Sequence, residues 1–395
     1  MLSACPPLTP DEELHWLALL LVPGLGTRRA NQLIDRFRTP QAIFRASRSE
    51  LEGSGLAGTL AQSIASGCTF EEGVEQQQRL MDAGASLIPI SDPRYPPKLR
   101  DIFDPPVVLF AAGRIELLQT LMLAIIGTRR PTAYGNVAAE RLGGDLASAG
   151  LTIVSGMARG IDTAAHKSAL ALGGNTVAVF GCGLDLIYPA ENRKLAEQIR
   201  EKGLLITEFA MGSPPFPQNF PIRNRIVSGM SVGVLVVEGA QYSGSGITAK
   251  LATDQGREVF AVPGNITSKM SWAPNLLIKQ GAKLVQEWND VVVELKPEDR
   301  RRLIDEGRNR LLANDLGDGE SSAPSQTSLP IGPSAELGKR ILAALKVDAG
   351  IHLDSLLEAL EGHSSSEVIA ALFELEMLGL ARQLPGKNFV KIWTE

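Results

Sequence analysis

The sequence predicts an α/β protein: a doubly wound, mostly parallel sheet, with a small helical module before it and a winged helix after it. Three observations predict this. From Leu121 to about Leu295, short apolar runs alternate with helical patterns, as in successive βαβ units. Before residue 85 the apolar positions recur at helical spacing only. Beyond a stretch rich in Gly, Ser, Pro and Asp, three short helical patterns end in a hairpin pattern.

The first module covers residues 1–85. Leu14–Val22 is an apolar helical run, Pro23-Gly-Leu-Gly26 is a glycine-rich hairpin, and Arg28–Phe37 resumes helical spacing. Leu51–Ile64, with Gly53, Gly55 and Gly58 between apolar positions, reads as a degenerate second copy. This is a helix-hairpin-helix or SAM-like pattern. Two readings stay open for it. Hairpin amides can hold a DNA backbone without reading sequence; a packing or dimerisation module suits its acidic balance.

Pro89 to Gly113 carries Pro93, Pro96, Pro97, Pro105 and Pro106 and reads as an extended connector into the core, which spans residues 86–295. Candidate strands are Leu121–Ile126, Leu151–Val154, Thr176–Phe180, Leu204–Thr207, Val232–Val237, Glu258–Val262 and Lys283–Val285. Helices are expected to begin near Ala133, Gly160, Asn192, Gly246 and Pro274. Residues 296–335 read as a flexible linker, most clearly Asp315–Ser334. In residues 336–395, Leu337–Leu345, Leu353–Leu360 and Ser365–Leu378 read as helices and Arg382–Val390 as a hairpin, which together suggest a winged helix.

Composition bounds the function. With 395 residues, 44% hydrophobic and 21% charged, the chain has the make-up of a soluble globular protein of two or three domains. No apolar run approaches the roughly 18 residues needed to span a membrane. Asp11, Glu12 and Glu13 precede Leu17–Val22, so the start does not look like a signal peptide. Cys5, Cys68 and Cys182 are far apart and form no metal-ligand spacing, which fits a reduced, cytoplasmic setting with no metal. The net charge of −5 is unevenly spread. Residues 1–90 hold 7 Lys+Arg against 10 Asp+Glu, residues 91–295 hold 20 against 18, and residues 336–395 hold 6 against 9. Only the central segment is positive, so its cations decide whether a face can attract phosphates.

Three junctions at strand ends carry arginine and glycine. Asn219-Phe-Pro-Ile-Arg-Asn-Arg-Ile-Val-Ser-Gly229 sets Arg223 and Arg225 in an otherwise apolar segment, where a globular core has little use for two guanidinium groups. Ser155-Gly-Met-Ala-Arg-Gly-Ile-Asp162 places Gly156 and Gly160 around Arg159 at an expected helix start, where free amides and the dipole favour an anion. A tight turn with Arg159 capping carbonyls is the other reading. Gly127-Thr-Arg-Arg130 follows the first core strand. Ligands of such sheets bind beyond the carboxyl ends of the strands, so the fold would gather these turns on one rim. We read that rim as a nucleic-acid site.

Further pieces join it. Asn192-Arg-Lys194 opens a helix, so Arg193 and Lys194 either hold phosphate or are solvated surface charges. In Val237-Glu-Gly-Ala-Gln-Tyr-Ser-Gly-Ser-Gly-Ile-Thr248, the hydroxyls of Ser243, Ser245 and Thr248 and the backbone around Gly244 can wrap an anion. No Walker A motif and no dinucleotide fingerprint is present, so ATP and dinucleotide cofactors are not expected. His166 is the one histidine of the core and falls a turn after Asp162, so the two could hydrogen-bond and anchor the helix. Glu208 and Glu238 end strands, and positioning an arginine or capping suits them better than acid–base work.

In order along the chain, Gly127-Thr-Arg129 with Tyr134-Gly135, Ser155–Asp162 with Ala165-His166, Gly181–Pro189, Phe220-Pro-x-Arg-Asn-Arg225, Val236–Thr248 leading to Ala261-Val-Pro-Gly264, and Asn275-x-Leu-Ile278 with Gly281-Ala282 form a set that resembles the DNA-processing protein A (DprA/Smf) family. The resemblance is strong over about residues 90–290. It implies an extended Rossmann-like core that dimerises and a non-enzymatic protein that binds single-stranded DNA. It also implies protection of incoming strands in natural transformation and loading of RecA recombinase onto them. The DNA contacts it implies map onto Gly127, Thr128 and Arg129, the Ser155–Gly160 turn, and Phe220–Arg225, including Arg223, Asn224 and Arg225 beside Asn219. Lys194, with Arg193, is the candidate for a pocket lysine.

Two departures stand out. Trp272-Ala273 occupies a place where a small residue and glycine are usual. The expected recognition helix Ser365–Leu378 carries Glu367, Glu374 and Glu376 and no cation, which suits a protein-contact role better than DNA reading. The competing class is a phosphoribohydrolase-like enzyme using the same phosphate pocket. That class needs a Pro-Gly-Gly-x-Gly-Thr loop, and this chain has Tyr-Ser-Gly-Ser-Gly-Ile-Thr248.

Overall fold

A computed structural model of the chain describes residues 8–305, 335–346, 350–360, 363, 365–377, 380–384 and 388–391. The chain divides into two compact units, residues 1–303 and 304–395.

The first unit opens with six helices: α1 (Pro10–Leu21), α2 (Gly26–Phe37), α3 (Pro40–Arg45), α4 (Arg48–Glu52), α5 (Gly58–Ser66) and α6 (Phe70–Asp82). Thr9 and Glu12 form a capping box that fixes the start of α1, and Ser47 and Glu50 repeat it at α4. The α1–α2 hairpin turns on Pro23-Gly-Leu-Gly26, where Gly24 and Gly26 take positive φ of 77° and 65°. Trp16, Leu17, Leu33, Ile43, Leu51, Ile64 and Leu80 pack inside the module, and their cluster continues into Phe110, Ala178 and Leu205 of the sheet. The module is therefore cemented onto one sheet face.

The expected connector is itself part of the sheet. β1 (Ser86–Pro89), α7 (Pro97–Arg100) and β2 (Val108–Gly113) occupy it. β2 pairs antiparallel with β1 on one side and β6 on the other. Its run from Val108 to Ala112 is buried throughout, so apolar burial outweighs the flanking prolines, which sit in turns and at the first position of α7.

The core then alternates: β3 (Met122–Ile126), α8 (Ala133–Ser148), β4 (Thr152–Ser155), α9 (Ile161–Ala171), β5 (Thr176–Val179), α10 (Arg193–Lys202), β6 (Leu204–Thr207), α11 (Asn219–Gly229), β7 (Gly233–Val236), α12 (Gly244–Asp254), β8 (Glu258–Ala261), α13 (Trp272–Lys279), β9 (Lys283–Leu284) and α14 (Trp288–Val292). The strand order is β1-β2-β6-β5-β4-β3-β7-β8-β9. All pairings from β6 to β9 are parallel. The order reverses between β3 and β7. That is the switch point at which a doubly wound sheet opens a crevice beyond its carboxyl ends.

One segment differs in kind from its expectation. Asn219–Gly229 is a helix, not a turn at a strand end, with Pro221 tolerated in its first turn. Residues 297–305, within the expected linker, are also helical (α15). Leu303 is buried there, and Asp299 pairs with Lys98 at 3.4 Å. The linker stretch 315–334 lies outside the described residues.

The second unit holds α16 (Ala335–Ala344), β10 (Ile351–His352), α17 (Leu353–Ala359), α18 (Ser365–Met377), β11 (Ala381–Leu384) and β12 (Asn388–Lys391). Its sheet order is β10-β12-β11, around Leu337, Ile341, Leu356, Val368, Leu372 and Phe389. Three helices with a terminal hairpin make the expected winged helix. Among the described residues no helix is long and apolar enough to cross a membrane.

Candidate nucleic-acid interface

The crevice at the switch point holds a cleft of about 650 Å³. Its walls come from the turn after β3 (Gly127, Thr128, Arg129, Arg130), the turn after β4 (Gly156, Ala158), the start of α11 and the start of α12. Three cations line it, Arg129, Arg130 and Arg223, against the single carboxylate of Asp162. The three do different work.

Arg223 is only 4% exposed. Its Nη1 donates to the carbonyl of Gly156 at 2.6 Å and also to that of Val179, so it ties together the carboxyl ends of β4 and β5. Burial pulls its pKa down to about 10, with the charge of Asp162 opposing the shift, so it stays a cation at neutral pH. Its Nε has no partner. Arg225, 6% exposed, faces the other way. It pairs with Glu208 at 2.5 Å and with Asp104 at 3.1 Å. Burial raises the Glu208 pKa, and the guanidinium opposes it. The core thus has a use for both arginines that composition did not suggest: they satisfy strand-end carbonyls, the buried Glu208 and the half-exposed Asp104.

Arg129 and Arg130 are exposed and, among the described residues, form no ion pair. The Arg129 guanidinium lies 5.5 Å from the centre of the Phe220 ring. Tyr188 sits beside that ring, with centroids 5.5 Å apart and planes at 37°. The cleft therefore presents two guanidinium groups with no ion pair among the described residues, one of them, Arg129, against a half-exposed aromatic pair.

Gly156 and Gly160 serve packing first. A Cβ on Gly156 would lie 2.4 Å from Nη1 of Arg223, so only glycine lets the guanidinium dock there. Gly160 has φ +78°, and a Cβ would meet the Thr128 carbonyl at 2.4 Å, so glycine lets the β4 turn close on the β3 turn. Asp162 Oδ2 accepts from the amides of Gly156 and Ala158 at 3.1 and 3.3 Å, holding that turn. Burial raises its pKa, opposed by Arg223 and the two amides. His166 does not bond to Asp162; its Nδ1 meets Thr176 Oγ1 at 2.7 Å. Burial and then the charge of Arg223 depress its pKa to about 3, so it is neutral.

Of the other expected residues, Gly127, Thr128, Asn224, Ser243, Gly244 and Thr248 line the cleft, as does Ser245. Ser243 and Ser245 hydroxyls pair at 2.7 Å at the start of α12. Ser155 is buried and donates to the Ile125 carbonyl at 2.6 Å. Asn219 is buried and donates to the Gly181 and Pro214 carbonyls at 3.1 and 3.2 Å. Arg159 stands at the margin, bonded to Glu191 at 2.6 Å rather than to carbonyls. Arg193 and Lys194 are exposed on α10 and are not among the lining residues; Asn192 beside them anchors the Met157 carbonyl at 2.9 Å. Glu238, 2% exposed, accepts from the Thr132 amide and hydroxyl at 2.9 and 2.6 Å and so fixes the start of α8. Sequence reasoning left Arg130, Tyr188, Pro215 and Pro217 out of the site. Arg130 and Tyr188 were within motifs already marked; nothing in the chain flags the prolines.

A mostly parallel sheet with a cation-lined cleft at its switch point, preceded by a helical module and followed by a winged helix, is a Rossmann-like architecture. Residues 86–296 match the family described as DNA recombination-mediator protein A, and residues 323–387 match the DprA winged helix domain. Protein Smf of Synechocystis is 33% identical over 96% of this chain and 98% of its own length. Protein Smf of Escherichia coli is 40% identical over 76% of each. The chain belongs to the DprA/Smf family. The solved structure of DNA processing protein A from Streptococcus pneumoniae matches with a TM-score of 0.66 and 33% identity, covering 74% of this chain and 99% of that one.

Proposed function

We propose that the protein binds single-stranded DNA without reading its sequence, protects strands that enter by transformation, and helps load RecA recombinase onto them in the cytoplasm. The observation that carries this reading is the switch-point cleft, where Arg129 and Arg130 are free of carboxylates beside Phe220 and Tyr188. Guanidinium groups and loop amides suit phosphate oxygens, which every sequence offers. The two rings give unpaired bases a stacking surface, which a duplex cannot use. We propose no catalytic step: Glu208 and Glu238 are buried in structural bonds, and His166 is neutral and buried. Membership of the family supports the further expectation of a homodimer, which would lengthen the DNA track through linked sites.

The test is fluorescence anisotropy with labelled oligo-dT and a matched duplex over a salt series, for the wild type and Arg129→Ala/Arg130→Ala. Preference for the single strand, weakened by salt and by the double variant, supports the reading. A folded double variant that binds as the wild type does would sink it, and hydrolysis of nucleoside monophosphates would be assayed next.

A further inference from the structure

The N-terminal module carries a second cationic face that the cleft does not explain. Residues 26–38 hold four arginines, Arg28, Arg29, Arg36 and Arg38, against one acid, Asp35, inside a module that is acidic as a whole. Ala30, Leu33 and Ile34 are the buried residues of α2. Helical periodicity then sets Arg28 and Asp35 near the middle of the opposite, outward face, with Arg29 and Arg36 together along one flank of it. The three arginines are exposed and, among the described residues, form no ion pair, although the charge of Arg36 helps to lower the pKa of Glu50. Arg29 reaches the Gly24 carbonyl at 3.4 Å, and Arg36 the Gly53 carbonyl at 2.8 Å and the Phe37 ring, whose centre lies 5.6 Å from its guanidinium. The Arg28 guanidinium lies 4.4 Å from the centre of the Phe103 ring, which is 79% exposed.

This face is fixed relative to the cleft. Asn31 of α2 donates to the Pro105 carbonyl at 2.8 Å, and Asp104, between Phe103 and Pro105, pairs with Arg225 at 3.1 Å. Arg225 stands on α11, whose Arg223 and Asn224 line the cleft. One loop and one helix within a single compact unit therefore connect the two cationic surfaces. Unpaired arginines cost self-repulsion unless a polyanion meets them, and an exposed ring held beside one matches the guanidinium-plus-aromatic chemistry of the cleft.

We propose that Arg28, Arg29 and Phe103 form a second DNA-backbone contact that takes the continuation of the strand held in the cleft; the inference rests on the cleft reading above. The full-length chain would be titrated with oligo-dT of about 6 and about 20 nucleotides, lengths bracketing one and several subsites, as wild type, Arg28→Ala/Arg29→Ala, Phe103→Ala and Arg129→Ala. The α2 double variant is expected to weaken the long oligonucleotide about tenfold and to lower its salt slope by about 1.4, at about 0.7 per lost phosphate contact. The short oligonucleotide should bind unchanged, and Phe103→Ala should weaken the long one alone. Unchanged binding of the long oligonucleotide overturns the proposal. So does equal weakening of both lengths, or a loss that accompanies a change in oligomeric state by light scattering, which would make α2 a protein-contact face. Arg129→Ala separates the two ideas. Weaker binding of both lengths by it, with no response to the α2 changes, leaves the cleft reading standing and removes this one; no response to it removes the cleft reading itself.

Discussion

Two pairs of arginines stand within reach of one cleft and live in opposite environments. Arg223 and Arg225 are buried in α11 and spend their donors on strand-end carbonyls, Glu208 and Asp104. Arg129 and Arg130 stand at the end of β3, exposed and without carboxylate partners among the described residues. The first pair assembles the rim, with Arg223 still lining the cleft and its Nε unpartnered, and the second is open to a ligand. An arginine in an apolar segment is therefore not in itself a ligand contact; what its donors already hold decides.

The largest expected effect comes from breaking the buried side of that contrast. Arg225→Ala leaves Glu208 with its buried charge uncompensated, and removing one partner of a buried ion pair costs about 3–5 kcal/mol. Denaturant melts should show that loss, with the single-strand affinity of the remaining folded fraction little changed. A stable Arg225→Ala protein that has lost DNA binding would reverse the assignment of the two pairs.

Next comes the exposed side. Arg129→Ala/Arg130→Ala should leave the melting midpoint within the small range of surface substitutions, about 0.5 kcal/mol. Charge-assisted hydrogen bonds of about 1.5–3 kcal/mol would then be missing from the complex, so affinity should fall by about 10- to 100-fold, read by anisotropy. A matching loss of stability would mean that these arginines, too, are framework.

How far the sequence carried this contrast depends on the signal involved. The alternation from Leu121 to Lys283 was legible because parallel strands buried on both faces read as short apolar runs between helical periods. β2 was not, because five prolines around it masked the buried run from Val108 to Ala112. The rim was legible through its glycines and arginines. The burial of Arg223 and Arg225 was not, since their partners, from Glu208 to Asp104, are 17 to 121 residues away in the chain and no local pattern names them. Phe220 and Tyr188 meet for the same reason only in the folded protein. His166 was visible as a core histidine, but its partner Thr176 lies across on β5.

That histidine offers a smaller effect that sharpens the account of the framework. Its folded pKa, about 3, lies below the unfolded value of about 6.5. The unfolded chain therefore binds the extra proton first, and the stability that neutral His166 contributes is present above pH 6.5 and lost as pH falls toward 3. The slope is about 1.4 kcal/mol per pH unit within that window. Asp162 and Glu208, whose pKa values burial raises, act with the opposite sign: their burial penalty is relieved as pH falls through their folded values. Urea melts at several pH values should show a flatter acid limb for His166→Gln than for the wild type, whatever the change at neutral pH. An unchanged limb would mean that the imidazole is protonated in place.

The smallest effect belongs to Arg159, which stands between the two classes. It lies at the cleft margin with Tyr188 and Phe220, but its guanidinium is bonded to Glu191 at 2.6 Å, with both side chains more than half exposed. Exposed ion pairs contribute little, because solvent competes for both groups and long side chains lose freedom in holding one geometry. Arg159→Ala should therefore weaken single-strand binding by less than about threefold. Glu191→Gln is the more telling change. It removes the carboxylate that competes with phosphate for this guanidinium, so binding at low salt should tighten by about twofold and the salt slope should steepen. Tighter binding in Glu191→Gln that disappears in Glu191→Gln/Arg159→Ala would place Arg159 with Arg129 and Arg130 as a ligand-facing cation held in reserve by its neighbour. No change in either variant would place it with the framework arginines instead, as a tie between the β4 turn and the start of α10.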